Sequence, residues 1–116
     1  MISCTDLTRY LEGPGTVSVE TDGYGRVWAR VGGDMKLQGY TDEPLPYLIE
    51  VAGNFTAGPM ANRCPHIKAR QIDLTNATVL TMSQSEFLAR DAIVIKRSAF
   101  KHLSKRTRRC NKFRFT

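Results

Sequence analysis

Long apolar runs are missing from this 116-residue chain. No stretch approaches the roughly 20 residues that a membrane helix needs, so no membrane association is expected. Cysteine is scarce. Cys4, Cys64 and Cys110 are odd in number, widely spaced and form no Cys-x-x-Cys pair. That argues against a disulfide framework and fits reduced thiols in a cytoplasmic protein. Cys64, His66, His102 and Cys110 are ligand types that suit zinc, but their spacing matches no common site, so no metal is expected. Residues 1–13, MISCTDLTRYLEG, lack the basic segment and apolar run of a secretion signal. The expected compartment is therefore the cytoplasm, or a host-cell interior. The sequons at Asn54-Phe55-Thr56 and Asn76-Ala77-Thr78 are then chance. Gly53 to Gly58 lacks the Lys-Ser/Thr that follows a phosphate-binding glycine loop.

Acid is missing from one end. After Asp91 there is no Asp or Glu, while nine Lys or Arg lie from Lys96 onward. Residues 1–62 carry four basic side chains against eight acidic ones, and residues 63–116 carry thirteen against three. A net charge of +6 already favours an anionic partner. The asymmetry says which part would touch it. The hydrophobic fraction of 41% and the length suit one globular domain.

Hydrophobic alternation marks the first half. Thr5 to Glu12 reads as a short helix stopped by Gly13. TVSVET, GRVWARV and MKLQGY alternate with period two, and Asp22-Gly23 and Gly32-Gly33-Asp34 are turn signals between them. The expectation is a three-stranded antiparallel meander. Leu45, Leu48, Ile49 and Ala52 fall at helical spacing after Asp42, which favours a helix there over a strand. Residues 53–66 read as loop. QIDL and ATVLTM read as short strands around Thr75-Asn76. Ser83 to Glu86 has the capping-box pattern, opening a helix that gives way to a buried strand at Ala92 to Ile95. A further helix from Ser98 would set Lys101, Lys105, Arg108 and Arg109 on one face, with Phe100 and Leu103 inward. NKFRF ends as a strand with Phe113 and Phe115 on one side and Lys112 and Arg114 on the other. No internal repeat is visible.

The fold expected is α+β: a three-stranded antiparallel meander with packed helices and a basic helix-plus-strand C-terminus. Residues 1–95 would form the globular domain, with 96–116 a basic extension packed on it or projecting from it.

A set of short patches adds a second line. Gly23-Tyr24-Gly25-Arg26-Val27 is followed by Gly58-Pro59-Met60, His66-Ile67, Asp73-Leu74-Thr75-Asn76-Ala77 and Val79-Leu80-Thr81-Met82-Ser83-Gln84. This order resembles the HNH homing endonucleases of phages. The resemblance implies His66 as general base and Asn76 as its orienting residue, with magnesium as the ion. The family's second His and paired asparagines have no counterpart, and Ser85 stands where its last Asn is expected. A degenerate, non-catalytic domain is therefore the reading that goes with it.

The leading expectation is a small nucleic-acid-binding protein of phage or mobile-element type. Lys96, Arg97, Lys101, Lys105, Arg106, Arg108, Arg109, Lys112 and Arg114 would grip phosphate, and Phe113 and Phe115 would stack on unpaired bases. Trp28 between Arg26 and Arg30 is a lesser candidate for base contact. The alternatives are an inhibitor or adaptor for an acidic surface of a host protein or nucleoprotein complex, and a metal-dependent nuclease.

Overall fold

Gly32-Gly33 does not reverse the chain. It turns a corner and lets the next strand run on in the same direction. The computed structural model describes residues 7–39, 45–60 and 64–116. Leu7 and Thr8 are helical, and a turn leads to β1 (Leu11–Glu12). β2 (Val17–Thr21) and β3 (Val27–Val31) form the expected antiparallel hairpin. β4 (Asp34–Gly39) pairs with neither of them. It lies parallel to the far half of β5 (Leu48–Met60), while β3 lies parallel to the near half. The expected meander is therefore a hairpin, and its supposed third strand belongs to a parallel array.

The array continues in chain order. β5 pairs parallel with β6 (His66–Asp73), β6 with β7 (Phe87–Ile95), and β7 with β8 (Phe113–Phe115). Met35, Phe55, Ile72, Ile93 and Phe113 are successive register partners, 17 to 21 residues apart in the chain. The structure repeats where the sequence does not. Each repeat is a bent strand and a crossover, stacked on its neighbours as in a solenoid. The class is α+β, with a mixed sheet, mostly strands and few short helices.

The helix expected over Leu45–Ala52 is strand from Leu48 onward. Ile49 and Val51 are buried, alternating with less buried Leu48 and Glu50, which is period two. The capping Asp42 of that reading lies outside the described residues. Residues 53–60, expected as loop, continue β5. Gly53 bends it: a Cβ there would collide with Asp34 Oδ1, which accepts the Asn54 N–H at 2.8 Å. ATVLTM is not a strand. Thr78 caps α1 (Val79–Gln84), accepting the Thr81 N–H at 3.2 Å. The helix thus ends where the capping-box pattern would have begun one. Ser85 instead donates its hydroxyl to the Cys64 carbonyl at 2.7 Å, and Phe87 enters the sheet.

The connections after β6 and β7 cover the inner face. Ile49, Phe55, Ile67, Ile72, Ile93 and Ile95 point into one core with Leu74, Met82 and Leu103 from the connections. Phe55 is fully buried at the centre of it.

Both ends of the parallel stack are closed. β1 and β2 add antiparallel to β4 and β3 at one end. At the other, β8 covers only the far half of β7. Asn111 covers the near half with its side chain. Its Oδ1 accepts the Ala89 N–H at 2.7 Å, and its Nδ2 donates to the Phe87 carbonyl at 2.8 Å. Those are the two bonds that a residue of a parallel strand would make opposite Leu88. Thr107 Oγ1 accepts the Phe87 N–H at 3.3 Å, and Asn111 Nδ2 also donates to the Thr107 carbonyl at 2.8 Å.

Asn111→Ala should remove this substitute strand, leaving the Ala89 donor and the Phe87 acceptor without partners. We expect a loss of about 2–3 kcal/mol, read as a lower urea midpoint at unchanged slope. Asn111→Asp, which keeps the acceptor only, should fall between. An unchanged midpoint in Asn111→Ala would show that the side chain contributes nothing to closing the edge.

Candidate nucleic-acid interface

The basic segment closes the C-terminal end of the stack. Arg97–His102 form a 3-10 turn, Lys105–Cys110 form α2, and Phe113–Phe115 form β8. The single helix expected from Ser98 is broken at Leu103-Ser104. Leu103 is buried in the core, and Ser104 caps α2 by accepting the Thr107 N–H at 3.3 Å. Lys101 therefore does not share a helix face with Lys105, Arg108 and Arg109, and Arg108 is half-buried. The segment packs on the domain: Leu103 and Thr107 are buried, and Phe113 is half-buried.

Lys96, Arg97, Lys101, Lys105, Arg106, Arg109, Lys112 and Arg114 are exposed. Among the described residues only Arg106 of the nine C-terminal cations meets a carboxylate, Glu86 at 3.6 Å. Arg97 lies over the Phe115 ring at 4.7 Å. The rest meet no carboxylate among the described residues.

Phe113 and Phe115 pack together with Phe100, at centroid distances of 4.9 Å, 5.4 Å and 6.2 Å. They extend the core stack of Ile93 and Ile95, their register partners. Phe113 is half-buried, and Phe115 keeps 39% of its surface exposed under Arg97. Their position favours a structural plug over a free stacking platform.

His66 and Asn76 are not brought together. His66 opens β6, and Asn76 is exposed in the turn after Leu74, so the length of β6 lies between them. At about 3.3 Å per residue that is roughly 20 Å. His66 Nδ1 accepts the Glu86 N–H at 3.0 Å, and its ring meets the Tyr47 ring edge-on at 4.9 Å. The Nδ1 acceptor role places the proton of the neutral ring on Nε2. No group of three or more potential metal ligands gathers among the described residues. Cys64 is buried, and burial pushes its thiol up to about 12 against a smaller opposing effect of Ser85. Cys110 is exposed.

A second feature lies at the hairpin, where the sequence marks Asp22 only as a turn residue and Trp28 as a lesser candidate for base contact. Asp22 Oδ1 accepts the N–H groups of Tyr24 and Arg26 at 2.9 Å each. Its Oδ2 accepts Arg26 Nε at 3.0 Å and Trp28 Nε1 at 2.8 Å. Arg26 so held lies against two rings, 5.2 Å from Tyr24 and 4.7 Å from Tyr47. Trp28 is 6.3 Å from Tyr47. The spacing Asp22-x-Tyr24-x-Arg26-x-Trp28 was the available signal. Tyr47 gave none, because its segment was read as helix.

Partial burial raises the Asp22 carboxyl, but the four donated hydrogen bonds outweigh it and lower the pKa from 3.8 to about 2. A lowered folded pKa means that the contribution of Asp22 is complete above the free value near 3.9 and is lost as pH falls towards 2. No family model, curated protein or solved structure matches this chain in comparison.

Two measurements test these environments. Emission of Trp28, the chain's one tryptophan, should stay constant from neutral pH to about pH 4 and change between about 4 and 2. Asp22→Asn should lack that transition, and a transition persisting in the variant would assign it elsewhere. A maleimide at about pH 8 should label Cys110 in the native protein and Cys64 only after unfolding. Native labelling of Cys64 would contradict its burial.

Proposed function

We propose that the protein binds nucleic acid, holding phosphate groups on the cations that close its C-terminal end. The observation that supports this is the shortage of acids there. Among the described residues, eight of the nine cations from Lys96 to Arg114 have no carboxylate partner, and the elements carrying them are docked on a folded core. A merely solvated charged surface is normally interspersed with acids. Here the repulsion among like charges is left standing, and a polyanion relieves it with counterion release.

The substitution Lys105→Ala/Arg106→Ala/Arg108→Ala/Arg109→Ala gives the test. Each lost phosphate contact should flatten the slope of log K against log salt by about 0.7–0.9. We expect the combined variant to lose about three units of slope, up to about 3.6 if all four residues contact phosphate, with much weaker binding at low salt. An unchanged slope in a folded variant would overturn the reading.

A further inference from the structure

An exposed row of rings and one cation crosses the solvent face of the sheet near the hairpin. Tyr24 is 87% exposed and Tyr47 42% exposed. Arg26 is held between them by Asp22. A folded domain gains little stability from a tyrosine presented that far into solvent. Yet the backbone beneath it is fixed, since the Tyr24 N–H and the Arg26 N–H both end on the same carboxylate oxygen. The turn backbone and Arg26 are thus held in place before any ligand arrives, and such preorganisation lowers the cost of ordering the site on binding.

The row also leads somewhere. Tyr47 meets His66 at 4.9 Å. His66 accepts the Glu86 N–H, and the Glu86 carboxylate reaches Arg106 at 3.6 Å. A cavity of about 210 Å³ lies along this path, lined among others by His66, Lys68, Glu86, Leu88 and Arg106. Leu88 is 44% exposed. Lys68 is exposed and without an ion-pair partner among the described residues. Cations at one end thus run into a depression whose walls are apolar and cationic with one carboxylate, that of Glu86 on Arg106, and then into π-faces alternating with a guanidinium.

We infer that this row is a base-stacking platform, so that the nucleic acid taken by the basic end is single-stranded. The inference rests on the proposed function and adds the class of nucleic acid. Its chemistry is that of unpaired bases. A base has a flat face that stacks on Tyr or His and on an Arg plane whatever its identity. Duplex bases are stacked on one another and cannot reach the rings. The phosphates would follow Arg106 and Lys68 while successive bases meet His66, Tyr47 and Tyr24. The stacking surface is then on the hairpin side of the sheet and not at Phe113 and Phe115, which pack with Phe100 at the basic end.

The test separates bases from phosphates. The probes are an oligothymidylate of about twelve nucleotides, its oligouridylate equivalent, and an abasic strand of equal charge. The wild-type protein should bind the strands with bases about tenfold or more tighter than the abasic strand. The variant Tyr24→Ala/Tyr47→Ala should bring that ratio close to one while leaving the salt slope unchanged. Tyr24→Phe/Tyr47→Phe, which keeps both rings, should restore the ratio and guards against a folding defect. Equal wild-type affinity for base-bearing and abasic strands would overturn the platform and leave the basic end standing. Binding of none of these strands while a duplex of the same length binds would overturn the platform and leave the basic end standing, and binding of neither strands nor duplex would overturn both.

Discussion

The bend of β5 at Gly53 is the constraint from which the remaining geometry follows. One strand must serve two neighbours on one side, β3 along its near half and β4 along its far half, and β6 along the other side. It can do so only if it turns where the chain breaks between β3 and β4. Asp34 occupies the inside of that corner and bonds the Asn54 N–H. The space beside it admits no side chain on residue 53. The later strands turn at the same level, with register shifts between Ala69 and Gln71 in β6 and opposite Ala89 to Ala92 in β7. Stacking then aligns Phe55, Ile72 and Ile93 on the core side and leaves Arg30, Lys68, Arg70 and Arg90 around the outer face.

A stack of this kind has two ends, and each presents unpaired backbone groups that invite association. The two ends are closed by different chemistry. Antiparallel strands close the first, because the hairpin and β1 need no crossover. The second must be reached by a parallel crossover from β7. Its return strand is only three residues long, so a side chain completes the pairing. Asn is suited to this because its amide carries one donor and one acceptor group in the same plane, as a peptide does. The cations sit on the elements that make this closure. That places the densest positive charge on an end that is already satisfied by hydrogen bonds, where it presents a folded surface and not a loose arm. The mutual repulsion of Lys105, Arg106 and Arg109 also disfavours another copy stacking there.

Local signals were legible and long-range ones were not. The β2–β3 hairpin, the last part of β7 at Ala92 to Ile95, the turn at Thr75-Asn76 and the strand at Phe113–Phe115 could be read from residue pattern and turn residues, whereas Phe87 to Asp91 read as helix. Parallel pairing leaves no such mark. Gly32-Gly33 looks the same in sequence whether the chain reverses or bends. YLIEV offered both periods, and what made it a strand was pairing with β3 and β6 on either side. Repeats of 17 to 21 residues escaped notice because only apolar character recurs at the stacked positions, not residue type. Of the candidate site, the basic segment was visible as composition. Its division into a turn, a helix and a strand was not, since Leu103 and Ser104 interrupt the helix for the sake of core packing and a new cap.

Asp22 shows how much side-chain geometry a turn signal can conceal. Asp-Gly is common at hairpins because it tolerates the turn geometry, and that explanation was sufficient for the sequence. The structure gives the same carboxylate four donors, two from the backbone of the turn and two from side chains on the strand beyond it. The backbone pair shapes the turn and the side-chain pair aims Arg26 and Trp28. One group therefore couples the local fold of the hairpin to the orientation of the rings on its face. Tyr47 arrives from β5's approach, His66 from β6 and Glu86 from the approach to β7, so the row crosses three successive coils. It exists only because those coils are stacked in parallel register. An exposed chain of contacts that depends on the whole stack, and ends at its most basic element, is a stronger indication of use than any one of its residues.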